Sequence, residues 1–226
     1  MARSQATVRR MPAGLGQDVG QKLRARREEH ELSLREVARR LGISPSALSQ
    51  IETGKSRPSV STLYAIVTEL EMSLDELFSG GRQPAKRSPK PKPEATGSER
   101  RRVQRSDSRS VIDLESGVRW ERLTATPDPD TDFLYVVYEA GGSSSDGEGF
   151  SRHSGREYGL ILSGALEVTV GFDTYELGPG DSVSFDSSTP HRLRNTGSEP
   201  ACGVWFVTGR GGDTIVRRHG NVRGQT

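Results

Sequence analysis

The sequence of 226 residues predicts a two-domain α+β protein, in which a bundle of short helices precedes a barrel or sandwich of short strands. The hydrophobic pattern has a helical period up to about residue 79 and is strand-like after about residue 110. Charge divides in the same way: residues 1–110 hold 22 Lys and Arg against 13 Asp and Glu, whereas residues 111–226 hold 10 against 17. A basic half joined to an acidic half is typical of a nucleic-acid binder with a separate second module.

The composition excludes several classes of protein. The apolar runs are far shorter than the roughly 18 residues that a membrane-spanning helix needs, so no membrane partner is expected. The basic N-terminus lacks the apolar segment of a secretory signal. Cys202 is the single cysteine and cannot form an internal disulfide, which favours a reducing compartment. We therefore expect a cytoplasmic protein that associates with the nucleoid.

Composition also predicts the domain boundaries. Residues 80–110 carry Lys-Pro pairs and an Arg cluster but almost no apolar side chains, which predicts a disordered basic linker. This linker is either a soluble spacer or a further, sequence-independent attraction for phosphate, and the sequence favours neither. The predicted order is a disordered basic arm at 1–17, a helical domain at 18–79, the linker at 80–110, a strand-rich domain at 111–210 and a frayed tail at 211–226.

Five short helices are predicted in the first domain. The first covers about residues 18–30, where apolar side chains recur at helical spacing. Each of the others follows a serine that suits an N-cap, with a proline opening the third helix and a glycine closing the second. Those serines are Ser33, Ser44, Ser59 and Ser73. The apolar positions predict a packed core of Leu23, Val37, Leu41, Leu48, Ile51, Leu63, Ile66, Leu70 and Leu77.

The second domain is predicted to contain eight or so short strands. They are β-branched or aromatic runs separated by clusters of Gly, Pro, Asp and Ser, which is typical of a sandwich or barrel. The aromatic residues Phe185 and Trp205 are expected in its core. The runs are VRWERLT, DFLYVVYEA, EYGLILSG, ALEVTVG, DTYELG, DSVSF, HRLRN and ACGVWFVTG. The polar, glycine-rich segment AGGSSSDGEGFSR predicts a flexible loop at the mouth of the barrel.

The turn Gly42-Ile43-Ser44 is typical of a helix-turn-helix, a unit that places its second helix in the major groove of DNA. The sequence resembles the Cro/C1-type (XRE) helix-turn-helix domain through all five helices, about residues 18–79. The most specific parts of the resemblance are Ala38, Gly42, the SQIETGKSRPS run and the terminal DELF. The resemblance implies that the helix after Ser44 is the recognition helix.

The expected DNA contacts lie on that helix and on the loop after it. Ser46 and Gln50 are the best candidates for reading base edges, because glutamine can pair bidentately with adenine and serine can donate or accept. Lys55 and Arg57, in the following loop, are expected to hold phosphate. Glu52 is expected to support the loop rather than to touch DNA. The full predicted set is Ser44, Pro45, Ser46, Ser49, Gln50, Lys55 and Arg57.

Two motifs of the second half resemble those of cupins. The run HSGREY, followed by Gly164, is similar to the first cupin motif, and GDSVSF, followed by His191 and Asn195, is similar to the second. The resemblance covers about residues 115–208 and implies a cupin β-barrel, also called a double-stranded β-helix. The chain departs from the family pattern at Ser151, where the first histidine of motif one usually stands. Asp186 and Ser188 replace the usual proline and glycine of motif two.

The resemblance leaves His153, Glu157 and His191 as candidate metal ligands. Two histidines and one carboxylate leave coordination positions open and suit a divalent ion such as Fe, Zn, Mn or Ni. An equally weighted alternative is a barrel without metal, in which the three side chains only form hydrogen bonds. In that case Arg152 and Arg156, with the two histidines, are the candidates for binding a small anionic effector.

Together, the two resemblances imply a bacterial transcriptional regulator, more plausibly a repressor than an activator. It would be a homodimer that binds double-stranded DNA at a near-palindromic operator and responds to an unidentified effector. The enzyme alternative is a non-haem iron oxygenase resembling hydroxypropylphosphonate epoxidase, which shares the layout and the triad. Its helical module supplies a lysine, however, where this chain has Glu31. A third alternative is a metabolite-binding interaction module that does not bind DNA.

Overall fold

The structure, a computed structural model, describes residues 16–78 and 102–209, except 146 and 148. Most of the predicted basic arm, the linker up to residue 101 and the C-terminal tail lie outside the described residues. Within the described ranges, no helix is long and apolar enough to cross a membrane.

The first domain consists of five helices, in the order that the sequence predicts. The first begins two residues earlier than predicted and ends one residue sooner. The helices are α1 (Gly16–Glu29), α2 (Leu34–Leu41), α3 (Pro45–Glu52), α4 (Val60–Glu69) and α5 (Leu74–Phe78).

The predicted serine caps are confirmed. The side-chain oxygens of Ser33, Ser44 and Ser59 each accept a hydrogen bond from the backbone N–H three residues further on. At Ser73 the cap is reciprocal, since Glu76 Oε1 accepts from the Ser73 N–H at 2.9 Å. Gly42 ends α2 in the left-handed conformation (φ 68°), which costs glycine little and sets the sharp turn into α3.

The helical core is built as predicted, except that Leu41 is only partly buried. Close contact between α1 and α3 depends on Gly20, because a Cβ there would lie 2.2 Å from the carbonyl oxygen of Ile51. The same pair of helices is joined by a buried ion pair: Arg27 Nε and Nη2 donate to the two carboxylate oxygens of Glu52 at 2.6 and 2.8 Å. Glu52 therefore holds α3 on α1, rather than supporting the loop after α3.

Nine strands lie in the described part of the second domain, where the sequence predicts eight or so. They are β1 (Val111–Asp113), β2 (Val118–Arg122), β3 (Thr131–Tyr138), β4 (Arg156–Ser163), β5 (Leu166–Val170), β6 (Asp173–Leu177), β7 (Ser182–Asp186), β8 (His191–Arg194) and β9 (Ala201–Thr208). All strand pairs are antiparallel. They form a six-stranded sheet in the order β1-β2-β3-β9-β4-β7 and a three-stranded sheet in the order β6-β5-β8. This arrangement is the cupin fold.

Ordered structure of the second domain begins before β1. Part of the segment predicted as linker forms a short 3-10 turn at Ser106–Ser108. Arg109 then pairs with Glu121 of β2 at 3.2 Å, and the Ser110 carbonyl accepts from the backbone of Arg122. The last part of the 80–110 segment thus belongs to the edge of the larger sheet.

The two domains contact each other at one end of the barrel. The backbone N–H of Ser61, at the start of α4, donates to the carbonyl of Ser144 at 2.9 Å. Ser144 belongs to the segment predicted as a flexible loop, and it is buried. At α5, Asp75 accepts from the backbone N–H of Asp128 and lies 3.5 Å from Arg122 Nη1. Helices α4 and α5 therefore face the barrel, while α3 carries the predicted DNA-binding side chains.

Candidate nucleic-acid interface and metal centre

The recognition helix α3 presents its polar residues to solvent. Ser44 accepts from the backbone N–H of Ala47 at 3.0 Å, which fixes the start of the helix. Ser46 and Gln50, the candidate base readers, are exposed one turn apart, and Ser49 between them is partly exposed. The structure thus brings the predicted base-contacting residues together on one accessible face.

The loop after α3 is held by the end of the helix itself. The backbone N–H groups of Lys55 and Ser56 both donate to the carbonyl of Gln50, at 2.8 and 3.2 Å. Thr53 Oγ1 donates to the carbonyl of Ser49 at 2.7 Å. These bonds place the exposed side chain of Lys55 beside the recognition helix, with Arg57, also exposed, two residues further on. Such a fixed pair of cations suits contacts to the phosphate backbone.

Three segments of the barrel bring His153, Glu157 and His191 together. His153 precedes β4, Glu157 lies on β4 and His191 opens β8. Backbone bonds tie these segments to each other, since Ser151 and His191 exchange N–H···O bonds of 2.8 and 3.0 Å. All three candidate ligands are buried. One nitrogen of each histidine and one oxygen of Glu157 all lie within 4.8 Å of one another.

The histidine tautomers follow from their backbone partners. Nδ1 of His153 lies 3.0 Å from the carbonyl of Ser154, and Nδ1 of His191 lies 2.9 Å from that of Thr189. A carbonyl can only accept, so Nδ1 donates in both rings, and Nε2 is the nitrogen left to face Glu157 or to bind a cation through its lone pair. These Nε2 atoms point to Glu157 Oε1, at 2.9 Å from His153 and 3.2 Å from His191.

This arrangement fits a divalent cation. Three atoms with lone pairs face one another, so either bound protons or a positive ion must lie between them. His153 Nε2 and Glu157 Oε1 are buried and, despite their short separation, lack hydrogen-bond geometry to any described atom. Ligand bonds of about 2.1 Å at right angles would separate neighbouring donor atoms by about 3 Å. The two distances from Glu157 Oε1 to the histidine Nε2 atoms, 2.9 and 3.2 Å, agree with that value.

Burial and the contacts between Glu157 and the two histidines shift the pKa values in the site. Burial acts to raise the pKa of Glu157, but the two imidazoles beside it outweigh burial and hold that pKa well below its usual value. For His191, burial acts to lower the pKa, and the contact with Glu157 turns the net shift upward. Glu157 is therefore the anion around which the site is built.

A buried tryptophan orients that carboxylate. Trp205 Nε1 of β9 donates to Glu157 Oε2 at 2.7 Å, which leaves Oε1 for the two histidines. The indole fits because Gly159 lies directly across from it in the sheet, and a Cβ there would come within 2.3 Å of the ring. From the sequence, Trp205 is expected only as a core residue. Gly159, two residues after Glu157, leaves space for a large side chain beside that carboxylate, and this is the signal that could have placed Trp205 in the site.

The triad opens into a small, mostly apolar cavity. Its volume is about 20 Å³, close to the space that one water molecule occupies. It is lined by Val60, Tyr64, Trp120, Leu134, Val136, Tyr138, Ser144, Ser151, Glu157, His191, Leu193 and Trp205. Ser151, at the position of the missing first histidine, is buried, and its Oγ has no hydrogen-bond partner among the described residues. The wall contains residues of both domains.

The predicted effector-binding arginines lie outside this cavity. Arg152 is exposed and donates to the carbonyl of Ser188 at 2.9 Å. Arg156 is exposed and lies over the ring of Tyr158. Within the described ranges, no lysine or arginine lines the cavity. Glu31, at the position where the epoxidase has its lysine, lies exposed in the turn after α1.

Family models match both halves of the chain. A helix-turn-helix model matches residues 23–77, and a cupin domain model matches residues 134–207. Among curated proteins, the Escherichia coli HTH-type transcriptional regulator PuuR is 28% identical over 179 residues, covering 78% of this chain and 87% of the relative. A transcriptional regulator in the ATPase CF(0) region of Rhodospirillum rubrum is 39% identical over 61 residues, 27% of this chain and 56% of the relative.

A solved structure shows the same two-domain fold. An HTH_3 family transcriptional regulator from Vibrio cholerae superposes with a TM-score of 0.59 and 22% identity, covering 87% of this chain and 98% of that one. Hydroxypropylphosphonic acid epoxidase from S. wedmorenis reaches a TM-score of 0.38 with 19% identity over 86% of this chain and 98% of its own. That value is too low to support an argument about function.

Proposed function

As a helix-turn-helix transcriptional regulator of the XRE type with a C-terminal cupin domain, this chain binds DNA, and we propose that it is a sequence-specific, metal-dependent repressor. In this proposal a homodimer binds a near-palindromic operator. Each cupin barrel holds one divalent ion through His153, Glu157 and His191 and responds to a small effector. The proposal depends on one observation: the recognition face of α3 is exposed while the buried triad of the second domain converges on a point suited to a cation.

The regulator is favoured over the oxygenase by its curated relatives, which are named as transcriptional regulators. The described residues that line the cavity also include no cationic side chain to bind a doubly charged phosphonate. When bound, the metal would supply a positive charge and free coordination positions for an oxygen donor. The residues of the chain orient that ion and exclude bulk water from it.

Selection of binding sites from random DNA duplexes tests the DNA half of the proposal. We expect a common half-site, repeated about one helical turn apart. Gln50→Ala should weaken binding to the selected operator about 5-fold to 150-fold, because a bidentate base contact contributes about 1–3 kcal/mol. Gln21→Ala is the matched control, since Gln21 is an exposed glutamine on α1. Selection without any common half-site, or equal losses in both variants, would refute sequence-specific recognition by α3.

Metal analysis of protein purified without chelator or nickel resin tests the proposed metal binding. We expect close to one divalent ion per chain in the wild type and none in Glu157→Ala. Glu167→Ala, on the three-stranded sheet, controls for the loss of a carboxylate elsewhere in the barrel. A wild type without metal would leave His153 and His191 as hydrogen-bonding or effector-binding residues.

A further inference from the structure

The ring of Tyr64 lies over the mouth of the barrel, next to the metal-binding triad. Tyr64 belongs to α4 of the helix-turn-helix domain, yet it stacks on His153 with ring centroids 4.3 Å apart and planes inclined by 25°. It also contacts Trp120 of β2, with centroids 5.3 Å apart. Val60, one turn earlier on α4, lines the same cavity. The DNA-binding domain therefore forms one wall of the cavity in the cupin domain.

This wall closes the cavity. Tyr64 is 5% exposed, and the space beneath it is about 20 Å³. A ligand larger than a water molecule must displace one of the lining side chains. Most of them belong to strands held in hydrogen-bonded sheets, where displacement would break the fold. Val60 and Tyr64 instead belong to a separate domain, which can move away as a unit.

Polar contacts join the two domains. One backbone bond joins Ser61 to Ser144, and another joins Glu115 to Pro58, both 2.9 Å long. Asp75 of α5, Arg122 and the backbone of Asp128 form a further contact, which we call the clasp. Interfaces between domains of one chain resemble transient ones, so relative motion of the two domains is expected.

We propose that Tyr64 is a residue of the sensor site and that the DNA-binding domain is its lid, so that a ligand larger than water binds only when α4 leaves the barrel mouth. This inference rests on the proposed sensing role of the cupin domain. The chemistry of the wall indicates the class of ligand. An oxygen donor, such as a small carboxylate, would bind the open positions of the metal, and its apolar body would pack on Trp120, Leu134 and Val136.

The lid couples ligand binding to the position of the recognition helix. In the closed arrangement Gln50 and Lys55 are exposed, so the closed form can bind DNA. Opening moves α3 together with α4, because both helices pack against α2. The recognition helix then loses its fixed position relative to the barrel. A ligand that binds only the open form therefore weakens operator binding, which is the behaviour of an inducer.

Acrylamide quenching of tryptophan fluorescence tests the lid without any metal or ligand. The chain has two tryptophans, Trp120 and Trp205, and both line the cavity. Acrylamide is larger than water, so the closed cavity should exclude it. We expect the Stern–Volmer constant to rise at least twofold in Tyr64→Ala and to stay at the wild-type value in Tyr64→Phe, which keeps the ring. Tyr175→Ala, on exposed β6, is the matched control.

A second variant separates opening from unfolding of the helical domain. Asp75→Asn weakens the clasp at α5 while leaving Tyr64 in place, and it should raise quenching in the same direction. Far-UV circular dichroism should show full helix content in both variants. Unchanged quenching in Tyr64→Ala and Asp75→Asn would overturn the lid, whatever the operator and metal experiments show. Conversely, increased quenching in both variants of a protein that selects no operator would support the lid and contradict the proposed function.

The ligand class is tested on Co(II)-loaded protein, whose visible absorption reports the coordination of the metal. Acetate should change the spectrum and acetamide, its neutral analogue of similar size, should not. We expect Tyr64→Ala to bind acetate at least tenfold more tightly than the wild type, because no energy is needed to displace the ring. Equal affinities for acetate in the two proteins would contradict closure by Tyr64, and binding of acetamide alone would contradict the carboxylate.

Discussion

Trp205 is the residue whose role differs most from what its sequence position suggests. An aromatic side chain on a buried strand is expected to contribute packing alone. Here the indole N–H donates to Glu157 Oε2 at 2.7 Å and so decides which oxygen faces the histidines. Partners that hydrogen-bond to a metal ligand orient it and raise the affinity of the site.

We therefore expect Trp205→Phe to lower the affinity for Co(II) or Zn(II) about 10-fold to 100-fold, the range usual for loss of such a partner. Trp120→Phe makes the same change in the same cavity without removing a bond to Glu157, and it should leave the affinity within about threefold of the wild type. Isothermal titration calorimetry with a competing chelator measures both. An equal loss of metal affinity in the two variants would show that Trp205 contributes only packing.

The variants Lys55→Ala and Gln50→Ala should differ in the salt dependence of DNA binding. A lysine on phosphate releases about one counterion, so Lys55→Ala should reduce the slope of log K against log[salt] by about 0.9 and weaken all duplexes alike. Gln50→Ala should leave the slope unchanged and alter the preference at one base pair. Fluorescence anisotropy at several salt concentrations distinguishes them. A changed slope in Gln50→Ala would show that this residue binds phosphate.

Among the helices, the position of α3 depends on its buried ion pair with α1. Arg27 makes two bonds to Glu52 and a third to the carbonyl of Leu32, at 2.9 Å. Bonding to Glu52 raises the pKa of Arg27, so the guanidinium stays charged at neutral pH. The pair matters for specificity, because it fixes the helix that carries Gln50.

Removing one partner of this pair leaves a buried charge without compensation, which usually costs about 3–5 kcal/mol. We expect Arg27→Ala to lower the stability of the helical domain by that order. Arg24→Ala, which removes an exposed pair with Glu28 on the same helix, should change the stability far less, because solvent screens that pair. Urea unfolding followed by far-UV circular dichroism at 222 nm measures the loss of helix. Equal losses in both variants would contradict the structural role of the Arg27 pair.

The elements of the fold could largely be predicted, because their signals are local. The serine cap at Ser44, the glycine at 42 and the run EYGLILSG that predicts β4 all act over a few residues, and all were confirmed. The ligand trio could be predicted only through its resemblance to the cupin motifs. Tyr64 could not be assigned to the site, because its spacing on α4 equals that of a core residue. Only the packing of one domain on the other distinguishes it from Leu63.

At the scale of the molecule, the outer face of the larger sheet carries a continuous apolar surface. Phe133, Phe206 and Tyr158 lie side by side on β3, β9 and β4, with neighbouring ring centroids 6.1 and 6.2 Å apart. Leu160 and Leu162 extend it along β4, and all five are 37–48% exposed. We define these five residues as the outer apolar face. Contiguous apolar surface of this kind usually marks an interface.

We expect this face to form the interface of the proposed homodimer. At its edge, exposed Arg156 and Asp186 are paired in register, one of each charge. A twofold axis brings the same surface of both copies together, so such an interface must be complementary to itself. The proposed function requires two recognition helices held about one helical turn apart, and pairing of the barrels supplies that constraint.

Phe206→Glu should therefore convert the dimer to monomer, because it places two like charges in the centre of the interface. Phe172→Glu is the matched control, since Phe172 is a fully exposed aromatic at the turn between β5 and β6, away from the outer apolar face. Sedimentation velocity measures the mass, and anisotropy measures the affinity for the selected operator. The Phe206 variant should lose affinity for the full operator by at least about 100-fold and keep its affinity for an isolated half-site, because each monomer then binds alone. A variant that stays dimeric, or a monomer with undiminished operator affinity, would remove the outer apolar face from the mechanism.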